Sequence, residues 1–457
     1  MKKQIKIAAL TSAAVLSLAG IAGAANYQLN MYGASAQFNF WGAAAPLFMN
    51  SFGCKTAATG GVALTTANVN TLNSKHDYIK GYNCNLSAIG GTASDTLEFA
   101  FSGVASVEGI AVNSGATQYN DAAPGGASCT GGNKYRWMNN GDGTMACKEV
   151  HIGSLDLDAT SIHQASSGQL YGPLAGGAVS YDWGKTGGLP MAGATKVPTQ
   201  LLVPFSLIVN TGVTATICTA GDAAHVGDIC NTAADCGTGG ACTTSTINNL
   251  SREQVALLFA GKVFSMADFG PQYTDQQPTI CLRHAGSGTA GAFDMMVVSG
   301  ASKWGNALVT KEDTSGSATN VYFVDSTDTM VQCVNGHTTA HQTVGVSAPI
   351  IGYCDADKGL TGLKNLGNDT YAATFTNKIK YNGFWASAAN INNGVYDWYA
   401  QSHMYVDTLP ANAIQHALAN SLATFTSNAA NIPASKQAYY TTVSAATFVR
   451  ADDKSYP

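Results

Sequence analysis

The stretch Cys281-Leu282-Arg283-His284-Ala285-Gly286-Ser287-Gly288-Thr289-Ala290-Gly291-Ala292-Phe293 decides how the rest of the chain is read. The residues leading into it, Thr279 to Leu282, are apolar and β-prone, and the strand they predict ends on an arginine. Gly286-Ser287-Gly288-Thr289 follows and leads into a segment able to form a helix. Glycine lets a backbone come close to a ligand, a serine can cap the helix, and the first helical N–H groups have no partner within the helix. A guanidinium adds a planar fork of donors, so the stretch is an anion cradle in outline. The same Gly-Ser-Gly-Thr run also suits an ordinary strand-to-helix turn. Its function therefore depends on what other segments bring to it.

Working outward, the same outline recurs. A short strand around Leu29 and Met31 breaks at Gly33-Ala34-Ser35-Ala36-Gln37-Phe38, and an apolar segment from Phe40 to Phe48 follows as a helix that tolerates Pro46. Phe99-Ala100-Phe101 leads through Ser102 to Ile110, with Ser106 where an N-cap would sit and Glu108 in the first turn. Glu149 to Asp158 reads as a short strand that delivers an acidic residue to its C-terminal end. Leu201 to Asn210 is the most apolar stretch, and Pro204 within it fits a crossover between lobes. Ser251 and Gln254 form a capping box, Leu250 and Val255 a hydrophobic staple, and Gly261 a C-terminal stop. Near the end, a turn at Asn392 to Tyr396 precedes a strand from His403 to Val406, and residues 409–426 form an amphipathic helix opening on Pro410.

Lys2, Lys3 and Lys6 precede an apolar run from Ile7 to Ile21 that closes on Ala22-Gly23-Ala24-Ala25, so residues 1–25 read as a cleavable signal peptide. No cysteine stands at the cleavage site to take a lipid. The mature chain is then expected to be soluble and periplasmic or extracellular. The formal charge is −5, and removing the three leader lysines makes it −8, which argues against a nucleic-acid partner. An anion would have to be held by local donors, because the overall field repels it. In an exported protein, cysteines default to disulfides. Sequence proximity pairs Cys54 with Cys84, Cys129 with Cys147 and Cys333 with Cys354, places two bridges among Cys218, Cys230, Cys236 and Cys242, and leaves Cys281 as a buried thiol.

These pieces resemble, in order, the phosphate-binding proteins of bacterial phosphate ABC transporters, members of the periplasmic solute-binding superfamily. Gly33 to Phe38 is similar to that family's first ligand loop, Gly103 to Ser106 to its Gly-x-Gly-Ser turn, and Ile152 to Asp156 to the strand that ends in its ligand-binding aspartate. Val203 to Asn210 resembles its crossover strand, Leu250 to Val263 the helix before its third loop, and Arg283 to Thr289 its Arg-Ala-Asp-Gly-Ser-Gly-Thr cradle. Ala348 to Tyr353 and Asn393 to Tyr396 match two later segments, and residues 54–98, 113–147 and 218–242 read as insertions. The resemblance implies an α/β fold of two lobes with mixed sheets, a hinged cleft and disulfide-stapled insertions. Residues 26–204 and 366–457 would form the first lobe, and 205–365 the second with the cysteine-rich insert 218–242. It also implies a ligand shell of Gln37, Phe38 through its main-chain N–H, Ser106, Asp156, Arg283, Ser287, Gly288 and Thr289. Inorganic phosphate would be the ligand, an inner-membrane ABC permease the partner, and the protein a monomer. Gln37 replaces a hydroxyl residue of the family, and Ala285 replaces an aspartate that braces the arginine.

Other chemistries fit less well. No cofactor or metal is expected: Asp156 and Asp158 lack the remaining positions of a calcium loop, and Cys333, His337 and His341, although spaced by four, read as a disulfide cysteine and loop histidines. Trp183-Gly184-Lys185-Thr186 fails as a phosphate loop because Val179 stands where a glycine is needed. An enzyme with Ser287 as nucleophile lacks the glycine two residues earlier and a placed His/Asp pair, so no catalytic activity is expected. Two alternatives stay open: a binder of another tetrahedral oxyanion or a phosphate ester, and a secreted surface protein that keeps the fold without the transporter.

Overall fold

A computed structural model describes residues 24–457 apart from 74, 115–128, 133, 165–180, 184–192, 198, 285, 301–303, 310–318, 325, 337–348, 361–375, 409–412 and 454–457. Residues 1–23 of the expected leader, Val179, Ala285, His337, His341 and Pro410 lie outside the described residues.

The first sheet grows around β1 (Asn26–Gly33), buried from Leu29 onward as a central parallel strand should be. It pairs in parallel with β4 (Asp95–Gly103) on one side and β7 (Ile152–Leu155) on the other. Beyond β4 lie β3 (His76–Cys84) and β2 (Asn70–Asn73); beyond β7 lie antiparallel β20 (His403–Asp407) and β10 (Ala194–Val197). Register aligns Gly33 with Gly103 and with Ser154, so three parallel strands end level and their loops emerge side by side. Helix α1 (Phe38–Ser51) covers this sheet through Trp41 and Phe48, which meet Phe99 edge to face, and it carries Pro46 inside it as expected.

The second sheet runs β14 (Asn249–Leu250), β18 (Thr376–Tyr381), β11 (Leu201–Asn210), β17 (Ile350–Asp355), β15 (Thr279–Arg283), β16 (Asn320–Val324). Here β15 is parallel to both β16 and β17, and Arg283 is level with Val324, so again the ends of parallel strands line up. All ten residues of β11 are buried. Leu201 to Pro204 pair with β19 (Tyr399–Gln401) and β21 (Thr441–Thr442), whereas from Phe205 onward the strand pairs with β17 and β18. The change of partners falls at Pro204, which has no N–H to give a ladder. Trp398, buried between Phe205, Phe293, Tyr353 and Tyr381, packs this crossing. The α/β architecture of mixed sheets in two lobes is therefore the one expected.

Smaller pairs complete it: the hairpin β5 (Tyr135–Asn139) with β6 (Met145–Glu149), the ribbon β8 (Ile162–Gln164) with β9 (Tyr181–Trp183), and β12 (Thr214–Ala220) with β13 (Ala241–Thr246) in the cysteine-rich insert. The helices after α1 are α2 (Ser106–Ser114), α3 (Arg252–Phe259), α4 (Gly288–Phe293), α5 (Thr327–Val334), α6 (Ala388–Asn392) and α7 (Ala413–Thr426). The Ser251 and Gln254 capping box opens α3 as the sequence predicts.

Three expectations need correction. Residues 54–98 are not merely an insertion, because β3 within them is a strand of the first sheet; buried His76 and Asp77 disguise its apolar face. Strand β18 pairs with β11 in the second sheet, so residues 376–381 do not side with the first lobe as a boundary at 366 would have it. The third concerns the cysteines. Cys54–Cys84, Cys129–Cys147, Cys218–Cys236 and Cys230–Cys242 are bridged, but Cys333 bonds to Cys281, and buried Cys354 is the free thiol among the described residues. Helix α5 runs back against the direction of the strand it follows. Its last turn, carrying Cys333, therefore lies over the middle of β15, while Cys354 lies at the far end of β17, level with the helix start, where Thr327 bonds to Asp355. Six residues of helix separate the two levels, roughly 9 Å at 1.5 Å per residue.

Candidate functional site

The level strand ends of the two sheets face each other, and the residues predicted as a ligand shell meet there. From the first sheet come the turn Ser35–Gln37, Ser106 at the start of α2 and Asp156 just past β7; from the second come Arg283 at the end of β15 and the Gly286 to Thr289 turn. This is the edge at which open α/β sheets bind ligands. The walls touch. Val107 N–H donates to Gly286 O at 3.3 Å, and a Cβ on Gly288 would stand 2.1 Å from Ser106 Oγ, so only glycine permits this approach.

Asp156 is 1% exposed, and predicted residues supply hydrogen bonds to its carboxylate and backbone. Ser106 Oγ donates to its Oδ2 at 3.3 Å and accepts from its backbone N–H at 3.1 Å. Gln37 Nε2 reaches its Oδ1 at 3.4 Å and Leu155 O at 2.9 Å, while Gln37 Oε1 accepts from Ser402 Oγ at 2.9 Å. The long amide standing for a hydroxyl thus braces the aspartate. Burial, and next the Asp355 carboxyl, push Asp156 up to about 7, against the pull of Gln37, Arg283 and Ser106.

That shift has a sign in stability. The unfolded carboxyl loses its proton near pH 4 and the folded one near 7, so the folded state holds an extra proton between those values. The stabilisation is full below pH 4 and is lost as pH rises to about 7. Without added anion, the melting temperature of the wild type should therefore fall more steeply from pH 5 to 7.5 than that of Asp156→Asn. Parallel slopes in thermal melts would contradict it.

Arg283 is buried and spans the walls: Nη1 donates to Thr327 Oγ1 and Nη2 to Ser35 Oγ, each at 3.2 Å. Its backbone N–H donates to Tyr353 OH at 3.1 Å, which anchors the end of β15 to the aromatic packing around Trp398. Ser287 caps α4, its Oγ accepting from Ala290 N at 3.3 Å, and so keeps its own proton to give elsewhere. Thr289 Oγ1 is buried with no partner among the described residues.

Two predicted members differ in role. The Phe38 N–H donates to Ser35 O within a 3-10 turn, and its ring leans on Phe101 at 5.7 Å. Ser106 does not cap α2; it is the first helical residue, because its hydroxyl serves Asp156 instead. Asp158 turns away to Lys196, Thr160 and Tyr405, so the two aspartates do not share a cation site.

Sequence reasoning missed Ser35, Thr327, Asp355 and Ser402. Thr327 and Asp355 follow the grammar used for the predicted loops, a strand then a capped helix and an apolar strand ending in aspartate, and that signal could have found them. Ser402 carries none. The insertion 113–147 also reaches the site from behind: buried Arg136 on β5 pairs with Glu108 in the first turn of α2 at 3.0 Å.

No protein-family model and no curated protein matches the chain. Solved structures similar to it include a high affinity periplasmic phosphate-binding protein bound with phosphate (13% identical, TM-score 0.40, covering 90% of this chain and 89% of that one). Another is the ancestral soluble variant of the Human Phosphate Binding Protein (12%, TM-score 0.38, covering 90% and 89%). A third is an ABC-type phosphate transport receptor from Vibrio cholerae (15%, TM-score 0.28, covering 51% and 68%).

Proposed function

We propose that the chain is an exported solute-binding protein that captures a tetrahedral oxyanion, inorganic phosphate foremost, between its two sheets and delivers it to an ABC permease. One observation carries the binding step: a buried arginine, the hydroxyls of Ser287 and Thr289, and the buried carboxylate of Asp156, itself held by Ser106, converge from both walls. Many donors and one acceptor suit an oxyanion that still carries a proton. Hydrogen phosphate can donate to Asp156; sulfate cannot and meets an unpaired carboxylate. Because the walls touch at Gly288 and Ser106, entry takes a parting of the lobes, and the crossing at β11 and β19 is where such a motion would turn. Closing again over the anion buries it and gives the permease a shape to recognise. No helix among the described residues is long and apolar enough to cross a membrane.

Protein stripped of anion by unfolding and refolding should, in calorimetric titration at pH 8, bind phosphate and arsenate and discriminate against sulfate. At pH 5.5 the discrimination should shrink, since Asp156 then holds its own proton and can donate to sulfate. Asp156→Asn should show the narrowed gap at both pH values. An unchanged phosphate-to-sulfate ratio in that variant would remove Asp156 as the discriminator, and no heat with any of the three anions would end the oxyanion reading. Capture of the protein by membranes containing the permease, only when phosphate is present, tests the transporter step.

A further inference from the structure

We propose that Asp355 and Thr327 position Arg283 for the anion, through a hydroxyl relay that holds the guanidinium from the second sheet; this rests on the oxyanion reading above.

Arg283 Nη1 donates to Thr327 Oγ1 at 3.2 Å, and Thr327 Oγ1 donates to Asp355 Oδ2 at 3.1 Å. The direction is forced. A guanidinium only donates, and a threonine hydroxyl has one proton, so that proton goes to the carboxyl and the oxygen's lone pair turns to the arginine. All three side chains are buried, and the backbone delivers each of them: Arg283 ends β15, Asp355 ends the neighbouring parallel β17, and Thr327 opens α5 above both. Ser326 fixes that opening, since its Oγ accepts from Thr329 N and its own N–H is taken by Thr329 Oγ1.

Asp355 also supplies charge. Its Oδ1 is buried with no partner among the described residues, an unusual state for a carboxyl oxygen. Burial and then Asp357 push this carboxyl up to about 6, while Arg283, Lys358 and the Thr327 hydroxyl hold it down. Near neutral pH it stays largely ionised and attracts Arg283 without touching it. On its other side Arg283 meets Ser35, across the cleft, at 3.2 Å. When the walls part that second hold is lost, and the relay, made wholly within the second sheet and its helix, keeps the guanidinium aimed. Pre-aimed donors cost less ordering when the ligand arrives. The family that the chain resembles braces this arginine from the position held here by Ala285; the relay brings a carboxylate to the same guanidinium from another strand.

The test compares Thr327→Val, which keeps the side-chain shape and removes the hydroxyl, with Thr327→Ser, which keeps the hydroxyl, and with Asp355→Asn. Each is titrated with phosphate at pH 8 and melted without anion. Thr327→Val and Asp355→Asn should each weaken binding tenfold or more, their double variant should be no worse than the weaker single, and Thr327→Ser should stay within threefold of wild type. In an Arg283→Lys background the same two changes should have little further effect. Equal affinity of Thr327→Val and Thr327→Ser overturns the relay while leaving the oxyanion reading in place, as does undiminished loss in the lysine background. Wild-type protein that binds no phosphate overturns both. If Thr327→Val fails to fold, Asp355→Asn in the wild-type and Arg283→Lys backgrounds carries the same decision.

Discussion

Arg283→Met should abolish high-affinity phosphate binding and lower the melting temperature of the anion-free protein, with the larger loss at alkaline pH. The guanidinium is the cation that Asp156 and Asp355 share, and it lowers both carboxyls against burial and against the repulsion of Asp355 on Asp156 and of Asp357 on Asp355. Taking away one partner of a buried charge arrangement costs about 3–5 kcal/mol when the other charge cannot escape. Here the carboxyls can escape by taking protons, so the cost should be small at pH 5 and approach that figure near pH 8. Binding suffers separately. A hydrogen bond to a charged group contributes about 1.5–3 kcal/mol, and two such bonds to the anion amount to roughly a hundredfold or more in affinity. Arg283→Lys should fall between, since an ammonium cannot hold Thr327 and Ser35 at once as the planar fork does. Titration and melts at pH 5.5 and 8 decide. A methionine variant within tenfold of wild-type affinity would mean that the anion does not meet Arg283.

The parts of this site that were legible in the sequence share one physical property: their roles are fixed by local backbone grammar. An apolar strand ending in a small-residue turn and a helix was readable at Gly33 to Phe38, at Gly103 to Ser106 and at Arg283 to Thr289, and the fold places all three together. What the sequence did not carry were relations between strands distant in the chain. Ser402 reaches Gln37 across 365 positions, because β20 lies antiparallel beside β7 and the chain just before it runs behind the site. Asp355 matters because β17 happens to be the parallel neighbour of β15, and nothing in either segment states that adjacency. Arg136 lies in a stretch whose composition suggests a peripheral loop, yet its charge is neutralised in the interior by Glu108.

The cysteines show the same limit, and they lead to the second large effect. Proximity in sequence correctly joined Cys54 with Cys84 and Cys129 with Cys147 and kept two bridges within the 218–242 insert, where they interleave as Cys218–Cys236 and Cys230–Cys242. It failed for Cys333, since the helix runs back over β15 and β17 and sets its last turn at the level of Cys281, whereas Cys354 lies at the level of the helix start. Cys333→Ala, or Cys281→Ala, should therefore be strongly destabilising and Cys354→Ala nearly harmless. The Cys281–Cys333 bridge spans 52 residues, and closing a loop of that length lowers the entropy of the unfolded chain by an amount worth about 4 kcal/mol. At roughly 2–4 °C per kcal/mol, melting should drop by about 8–16 °C. Cys354 makes no bridge, and burial raises its thiol to about 12, so at neutral pH it is a small inert apolar group. The same bridge joins β15 to α5, the two elements that the Arg283 and Thr327 contact also joins, so its loss should weaken phosphate binding as well as stability. Peptide mapping without reductant should recover Cys281 linked to Cys333, with Cys354 alkylated only after unfolding. Recovery of a Cys333–Cys354 link, with Cys281 free, would overturn both the pairing and the covalent support it gives to the arginine.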